Sequence, residues 1–369
     1  MRLPVPSPIH RPSAYLWAYI VVLYAACFWP FNFLEQNNVT WNEQGNLRIT
    51  APGTLYTPIP MTKLSRLNTF TILLHFSSDD PGESSWIVAY GLDYDHFNFM
   101  VGQYWGQLVF EMRTGLNRVN TRIRVPKPFE QSREVRLAVV YDGKRLSAYI
   151  GGQRKADTGL SGFDNSSWTA ESPLVLGSGT NGKFPWSGTL YSLAILNHAV
   201  PETALRNHDS LLAILSPAVR YSFDRRGENT VIDHGTGDPA TLTIPMRFEP
   251  YTRSVLLAPK VYWLPFPLYI DFIGNVLVFV PIGFLLMVML SRHFRNPIGA
   301  IVAAVFMAFV LSLGIEFLQS FLPSRWSTLM DLLANTLGAG VGVLLSHRGW
   351  VQKTLTLMNI GFRNQPTRN

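Results

Sequence analysis

Three apolar runs crowd the last third of the chain: Phe272 to Leu290, Ile298 to Leu322 and Trp326 to Leu345. Each carries strongly polar residues near one end: Asp271 with Asn275, Glu316 with Gln319, and Asp331 with Asn335. About 20 mainly apolar residues suffice to cross a bilayer as a helix, so each run is long enough to span. A carboxylate inside or at the rim of such a helix costs roughly 2.5–3.5 kcal/mol on insertion scales, which makes it a functional-site candidate by default. Any fold open to this chain must therefore gather these side chains against one another or at an aqueous rim.

Composition points the same way. Of the 369 residues 47% are hydrophobic and only 15% charged, against about 25% charged in water-soluble chains. The net charge of +7 is modest. Its basic residues sit beside apolar runs, which suits a membrane protein and argues against a nucleic-acid partner. Cys27 is the one cysteine; an intrachain disulfide and any metal site built on several cysteines are excluded.

Residues 1–13 are Pro-rich and carry Arg2, His10 and Arg11, and residues 14–33 then form an uncharged, aromatic-rich apolar run. A cleaved signal peptide calls for a small-x-small site followed by polar sequence, whereas Ala25-Ala26-Cys27 runs on into Phe28-Trp29-Pro30-Phe31. A lipoprotein site at Cys27 would have Tyr24 where a Leu-like residue is expected. A retained transmembrane helix is the expectation.

From about residue 38 to 262 the composition turns soluble. Short β-branched or alternating runs such as Phe70–Leu74, Trp86–Tyr90, Val135–Tyr141 and Thr189–Leu196 are punctuated by Gly, Asn, Asp and Pro. Many short strands at this spacing predict an all-β sandwich. Tyr141-Asp142-Gly143-Lys144 reads as a hairpin turn with Gly at a positive φ, and a helical patch is expected from Pro201 to Leu215. The runs Val139-Val140-Tyr141-Asp142-Gly143, Leu176-Gly177 and Trp186-Ser187-Gly188-Thr189-Leu190 resemble the concanavalin A-like, laminin G-like jelly-roll. Tyr221–Asp224, Val231–Gly235 and Ala240–Pro245 look like its opening strands displaced to the end.

Charge placement predicts topology. Arg2 and Arg11 precede the first helix, Arg292 and Arg295 lie between the second and third, and Arg348 and Lys353 follow the fourth. With four spans these share one side, and the positive-inside rule makes it cytoplasmic. The β domain and residues 323–328 then lie outside. Asp271 and Asp331 fall at the outer ends of inward-running helices, with Asn275 about 6 Å deeper than Asp271 at 1.5 Å per residue. Glu316, Gln319, Arg325, Asp331 and Asn335 share that layer, an expected outer-leaflet pocket. The pairs are spaced i, i+4 or i, i+3, so each shares a helix face. Asp271-x-x-x-Asn275-x-Leu277 repeats as Asp331-x-x-x-Asn335-x-Leu337, and Gly283, Gly338, Gly340 and Gly342 permit close helix approach. The competing reading is that these side chains merely hold helices together, with Arg325 neutralising Asp331 or Glu316.

The order Asp271-Phe272-x-x-Asn275, Pro281-x-Gly283, Glu316-x-x-Gln319, Arg325, Asp331 and Asn335-x-x-Gly338-Ala339, preceded by Trp29-Pro30-Phe31-Asn32, resembles the VanZ-like family of small bacterial membrane proteins. That family is named for a member linked to teicoplanin resistance. The resemblance covers residues 14–34 and 262–346 and implies a β domain inserted between the first and second helices.

The expected fold is therefore mixed: a four-helix transmembrane bundle with an inserted all-β jelly-roll sandwich. Residues 1–13 form a cytoplasmic N-terminus, 14–33 the first helix, 38–250 the extracytoplasmic sandwich, and 262–346 the VanZ-like part with helices near 271–290, 298–322 and 326–345. Residues 347–369 form a cytoplasmic tail, and a bacterial inner membrane is the expected location. No Gly-x-Ser-x-Gly or His-Glu-x-x-His motif occurs. Asp79, Asp80, Asp93 and Asp95 are carboxylates of the kind calcium takes, but loop acids ordinarily face solvent, so no metal or cofactor is expected. Trp86, Tyr104, Trp105 and Trp168 are candidates to stack on sugar rings. The implied partners are membrane lipid and an envelope glycan or lipid-linked precursor. The alternatives are an enzyme, with Glu316 or Asp331 as general acid/base and Arg325 clamping a phosphate or carboxylate, or a structural anchor.

Overall fold

The computed structural model describes residues 11–33, 35–93, 96–115, 120–130, 132–163, 165–206, 216–224, 229–257, 266–323 and 325–347. The chain divides into two units: Leu34–Arg253, and Met1–Phe33 together with Ser254–Asn369.

The first of these is a sandwich of two antiparallel sheets. One runs β1 (Val39–Trp41), β2 (Leu47–Ile49), β13 (Gly188–Leu196), β4 (Phe70–Ser78), β9 (Glu134–Tyr141), β10 (Arg145–Ile150), β11 (Gln153–Gly159), with β14 (Val219–Ser222) also on β13. The other runs β15 (Thr230–Val231), β16 (Leu242–Thr243), β3 (Leu55–Tyr56), β12 (Leu174–Leu176), β5 (Ser85–Gly91), β6 (Phe97–Tyr104), β7 (Gln107–Arg113), β8 (Asn120–Val125). The late segments thus complete both sheets: Leu193 pairs with Tyr221, and Thr243 with Tyr56. Between the sheets lie Phe70, Phe76, Tyr90, Phe99, Tyr141, Trp168 and Trp186.

The central strands β4, β5, β6 and β12 lack strict apolar–polar alternation because their outer faces are covered too. Leu73, Ala138, Val140, Ala194 and Leu196 pack under Val200 and Leu205. Trp86 stacks on Phe184, with Ala89, Met100 and Val175 in the same cluster. Gly143 turns β9 into β10 with φ +94°, as the Asp-Gly pair predicts. The expected helix at Pro201–Leu215 begins instead with turns over 202–206, and its remainder lies outside the described residues.

The second unit contains α1 (Arg11–Phe28), α2 (Phe266–Leu290), α3 (Pro297–Gln319) and α4 (Leu329–His347). Among the described residues, three helices are long and apolar enough to cross a membrane: Ile270–Leu290, Pro297–Gln319 and Leu329–Ser346. This corrects the expectation of four spans. The apolar part of α1 is Pro12–Phe28, shorter than the run in the sequence because the helix stops ahead of Trp29-Pro30; proline disfavours helical backbone in the residue before it. The third helix likewise ends at Gln319 rather than Leu322. The fourth starts at Leu329 rather than Trp326, because Thr328 caps it: its Oγ1 accepts the Asp331 N–H at 3.0 Å. Pro281 sits inside α2 without ending it.

Exposed Val302, Phe306, Leu337 and Leu344 on these helices give the unit an apolar exterior, the surface a bilayer covers. The chain is a membrane protein carrying a β-sandwich.

Helix packing rests on small residues. On α3, Ala300, Ala304, Ala308, Ser312 and Glu316 recur every fourth residue and are all buried, one face that begins with methyl groups and ends polar. On α2 and α4 the close approach is backbone to backbone. A Cβ on Gly338 would collide with the Val276 carbonyl, on Gly342 with Val280, and on Gly283 with Ala339, while Gly340 faces open space. Because 276 meets 338 and 280 meets 342, α2 and α4 run parallel.

Candidate functional site

The polar residues gather at one end of the helix unit, where α1 and α3 finish and α2 and α4 begin. Glu316, 1% exposed, reaches from α3 to α4, and its Oε2 accepts the Thr328 N–H at 2.9 Å. Thr328-Leu329-Met330-Asp331 has the spacing of a capping box, in which the third residue of the helix would take that N–H. Glu316 occupies it instead. Asp331 is thereby directed to α2, where Asn275 Nδ2 donates to its Oδ1 at 2.7 Å.

Asn335, one turn deeper and 4% exposed, donates from Nδ2 to Ser312 Oγ at 2.9 Å. Its Oδ1 is buried with no hydrogen-bond partner. Whichever way the amide is turned, one of its polar atoms lacks a protein partner, a costly state inside a helix bundle.

Gln319 and Arg325 serve α1. Gln319 Nε2 donates to the Cys27 carbonyl at 3.3 Å, and Arg325 Nη2 to the Ala26 and Trp29 carbonyls at 3.4 Å each. A guanidinium there meets the negative end of the α1 dipole and its unfilled carbonyls. No ion pair joins Arg325 to Glu316 or Asp331 among the described residues, so these acids are held by neutral donors. Asp271 is exposed, and its carboxylate makes no hydrogen bond or ion pair with the described residues. The two copies of the Asp-x-x-x-Asn repeat thus differ in use: Asn275 serves Asp331, whereas Asn335 turns to α3 and Asp271 stays open.

The returning chain closes this layer. Leu256 N–H donates to Ser327 Oγ and Leu257 N–H to the Ser327 carbonyl, each at 3.0 Å, while Leu329 N–H donates to the Leu257 carbonyl at 3.1 Å. Ser312, Ser327 and Thr328 were missed as members from sequence. Thr328 was legible as a cap three residues before Asp331; Ser312 and Ser327 carry no sequence signal.

In the β unit, Trp86 and Trp168 are buried, whereas Tyr104 and Trp105 stand exposed at the β6–β7 turn. Among the acids, Asp79 forms a paired contact with Arg48 (2.6 and 2.8 Å) and Asp93 accepts from His96. Asp95 lies outside the described residues. A cleft of about 850 Å3 is lined by Ile59, Lys63, Arg66, Asn197 and Asp238 among others, with Lys63 ion-paired to Asp233 at 2.7 Å. No cluster of three or more metal-ligating side chains occurs among the described residues.

Comparison with known proteins gives two regional matches. Residues 226–351 match the VanZ/LLP1 family, and residues 52–205 match the concanavalin A-like lectin/glucanases superfamily. Curated proteins give no match. Among solved structures, the Ruminococcus gnavus IT-sialidase CBM40 aligns at 13% identity and TM-score 0.35, covering 41% of this chain and 90% of that one. A putative carbohydrate binding protein from Bacteroides ovatus aligns at 16% identity and TM-score 0.39, covering 59% and 62%. The Limulus polyphemus SAP-like pentraxin aligns at 15% and 0.34, covering 56% and 93%. The chain thus joins a VanZ-like region to a concanavalin A-like, laminin G-like region.

Proposed function

We propose that this is a multi-pass protein of the bacterial cytoplasmic membrane that binds a saccharide-bearing envelope component. The β unit takes the glycan, and the polar layer at the helix ends receives a polar group of a lipid-linked precursor. One observation carries the reading: a lectin-superfamily region is inserted in a membrane unit whose polar end is also where the chain departs after Phe33 and returns at Ser254. The groups left for a ligand are the exposed Asp271 and the unfilled Asn335 Oδ1, with Asp331 between them in depth. Glu316, Gln319 and Arg325 hold the helices in register.

In this reading α1 packs beside the three membrane-capable helices. Leu16, Leu23 and Phe28 pack on α2 and α3 residues, while Trp17, Val21 and Val22 face outward. Arg292 and Arg295 in the α2–α3 loop support a cytoplasmic position for that loop, which would leave the polar layer in the outer leaflet.

Mass spectrometry of lipids and glycans co-purifying with the intact protein tests this. A saccharide-bearing lipid enriched on the wild type and depleted on Asp271→Asn and Asp331→Asn is expected. Bulk phospholipid alone, unchanged by either substitution, would sink it.

A further inference from the structure

The β6–β7 hairpin turns on two residues, Trp105 and Gly106, between the paired Tyr104 and Gln107. Both have positive φ, +49° and +76°, the pattern of a type I′ turn. The β10–β11 hairpin makes a like turn with Gly151 and Gly152, at +55° and +76°. Such turns favour Asn or Gly at the first position, because a side chain there crowds its own backbone. A tryptophan is among the worst fits, and this one gains no burial in exchange: it is 77% exposed, and nothing lies where a Cβ on Gly106 would point. A local rule is broken without a folding benefit, which is the pattern of a residue kept for contact with something else.

The tip is also rigid. Trp105 stacks on Tyr104, 42% exposed, with ring centroids 4.8 Å apart and planes at 18°. Beneath them the buried Gln103 accepts from Ser78 Oγ at 2.8 Å and donates to the Asp80 and Glu83 carbonyls. Gly106 N–H donates to the Pro81 carbonyl at 3.0 Å. The loop 79–84 is thus tied alongside the aromatic pair. Arg48 and Arg133 are engaged by Asp79, one at its carboxylate and the other at its carbonyl; on the rim stand two exposed carboxylates, Glu83 and Asp80, whose Oδ1 accepts the Gly82 N–H at 3.0 Å and leaves Oδ2 for a ligand.

We propose that Tyr104 and Trp105 form a stacking platform for a neutral or amino-sugar pyranose ring, with Asp80 and Glu83 accepting from its hydroxyl or ammonium groups. The aromatic face meets the C–H face of the ring, and the carboxylates suit donors. The same carboxylates oppose an anionic lipid surface, the other occupant an exposed tryptophan invites. This assignment rests on the glycan-binding reading and gives it a place in the β unit.

The test uses the full chain in nanodiscs on a panel of neutral, amino-sugar and acidic oligosaccharides, with Trp105→Asn and Trp105→Ala beside the wild type. Trp105→Asn is expected to raise the unfolding temperature, since Asn-Gly suits the turn, while weakening binding about tenfold or more. That combination separates a binding role from a folding role. Wild-type binding that both variants retain overturns the platform and leaves glycan binding standing. Binding confined to acidic oligosaccharides overturns the ligand class, and no binding at all overturns both readings. Quenching of Trp105 fluorescence by brominated phospholipid in the nanodisc, lost in Trp105→Phe, would assign the tip to the membrane surface instead.

Discussion

At the scale of single residues, the polar cluster is a set of specific bonds between neighbouring helices. The buried Glu316 carboxylate accepts the half-buried Thr328 N–H that opens α4 and ties α3 to α4. Glu316→Ala should therefore lower stability by about 1–3 kcal/mol, whereas Glu316→Gln, whose amide oxygen can accept the same bond, should retain most of it. Thermal unfolding in detergent distinguishes the two, and an equal loss in both would mean that the charge itself matters. In the β unit, burial pushes the Lys183 ammonium down to about 8 from an ordinary 10.5. Between those values the unfolded chain binds more protons than the folded one, so stability should rise as pH climbs from 8 toward 10. Lys183→Met should flatten that slope and raise the melting temperature at neutral pH; an unchanged slope would place its origin elsewhere.

At the scale of elements, the parallel pair α2 and α4 is set by where side chains are missing. Gly338 and Gly342 form a Gly-x-x-x-Gly step against the Val276 and Val280 carbonyls, the arrangement that lets membrane helices approach closely. Gly342→Leu should separate the helices and break the Asn275–Asp331 bond, giving a steep fall in the yield of folded protein by size-exclusion chromatography. Gly340→Ala, two residues away and facing open space, should be neutral or stabilising by up to about 1 kcal/mol through helix propensity. The sequence shows five glycines in these two runs with no sign of which ones touch a neighbour. That distinction arises from the rotation of each helix about its axis, a tertiary quantity.

At the scale of the whole molecule, the proposed topology places the α2–α3 loop in the cytoplasm and the β unit outside. In a Cys27→Ala background, a cysteine replacing His293 should react with a membrane-impermeant maleimide only after the membrane is opened. One replacing Met246, 87% exposed, should react in intact spheroplasts. The reverse pattern would invert the topology and move the polar layer to the inner leaflet. The two-unit division also bears on stability: each unit has its own apolar core, so reduced yield from a glycine substitution in α4 should leave the melting of the β unit in place.

Composition, run length and turn residues determined that this chain has membrane-capable helices with a β-sandwich between them, because hydrophobic thickness and strand period act locally along a sequence. The order of Asp271, Glu316, Arg325, Asp331 and Asn335 marked which residues belong to one layer. Their partners were not legible. Arg325 looked like a counter-ion for the acids, yet it caps α1; Asp331 looked like half of a capping box, yet it bonds Asn275 because Glu316 takes the backbone donor. Such choices depend on which group is nearest once helices have packed, and a buried donor accepts whichever partner the packing brings. The same holds for the aromatics: Trp86, Trp105 and Trp168 are alike as letters, and only the sheets decided that two are buried and one stands at a turn it does not suit.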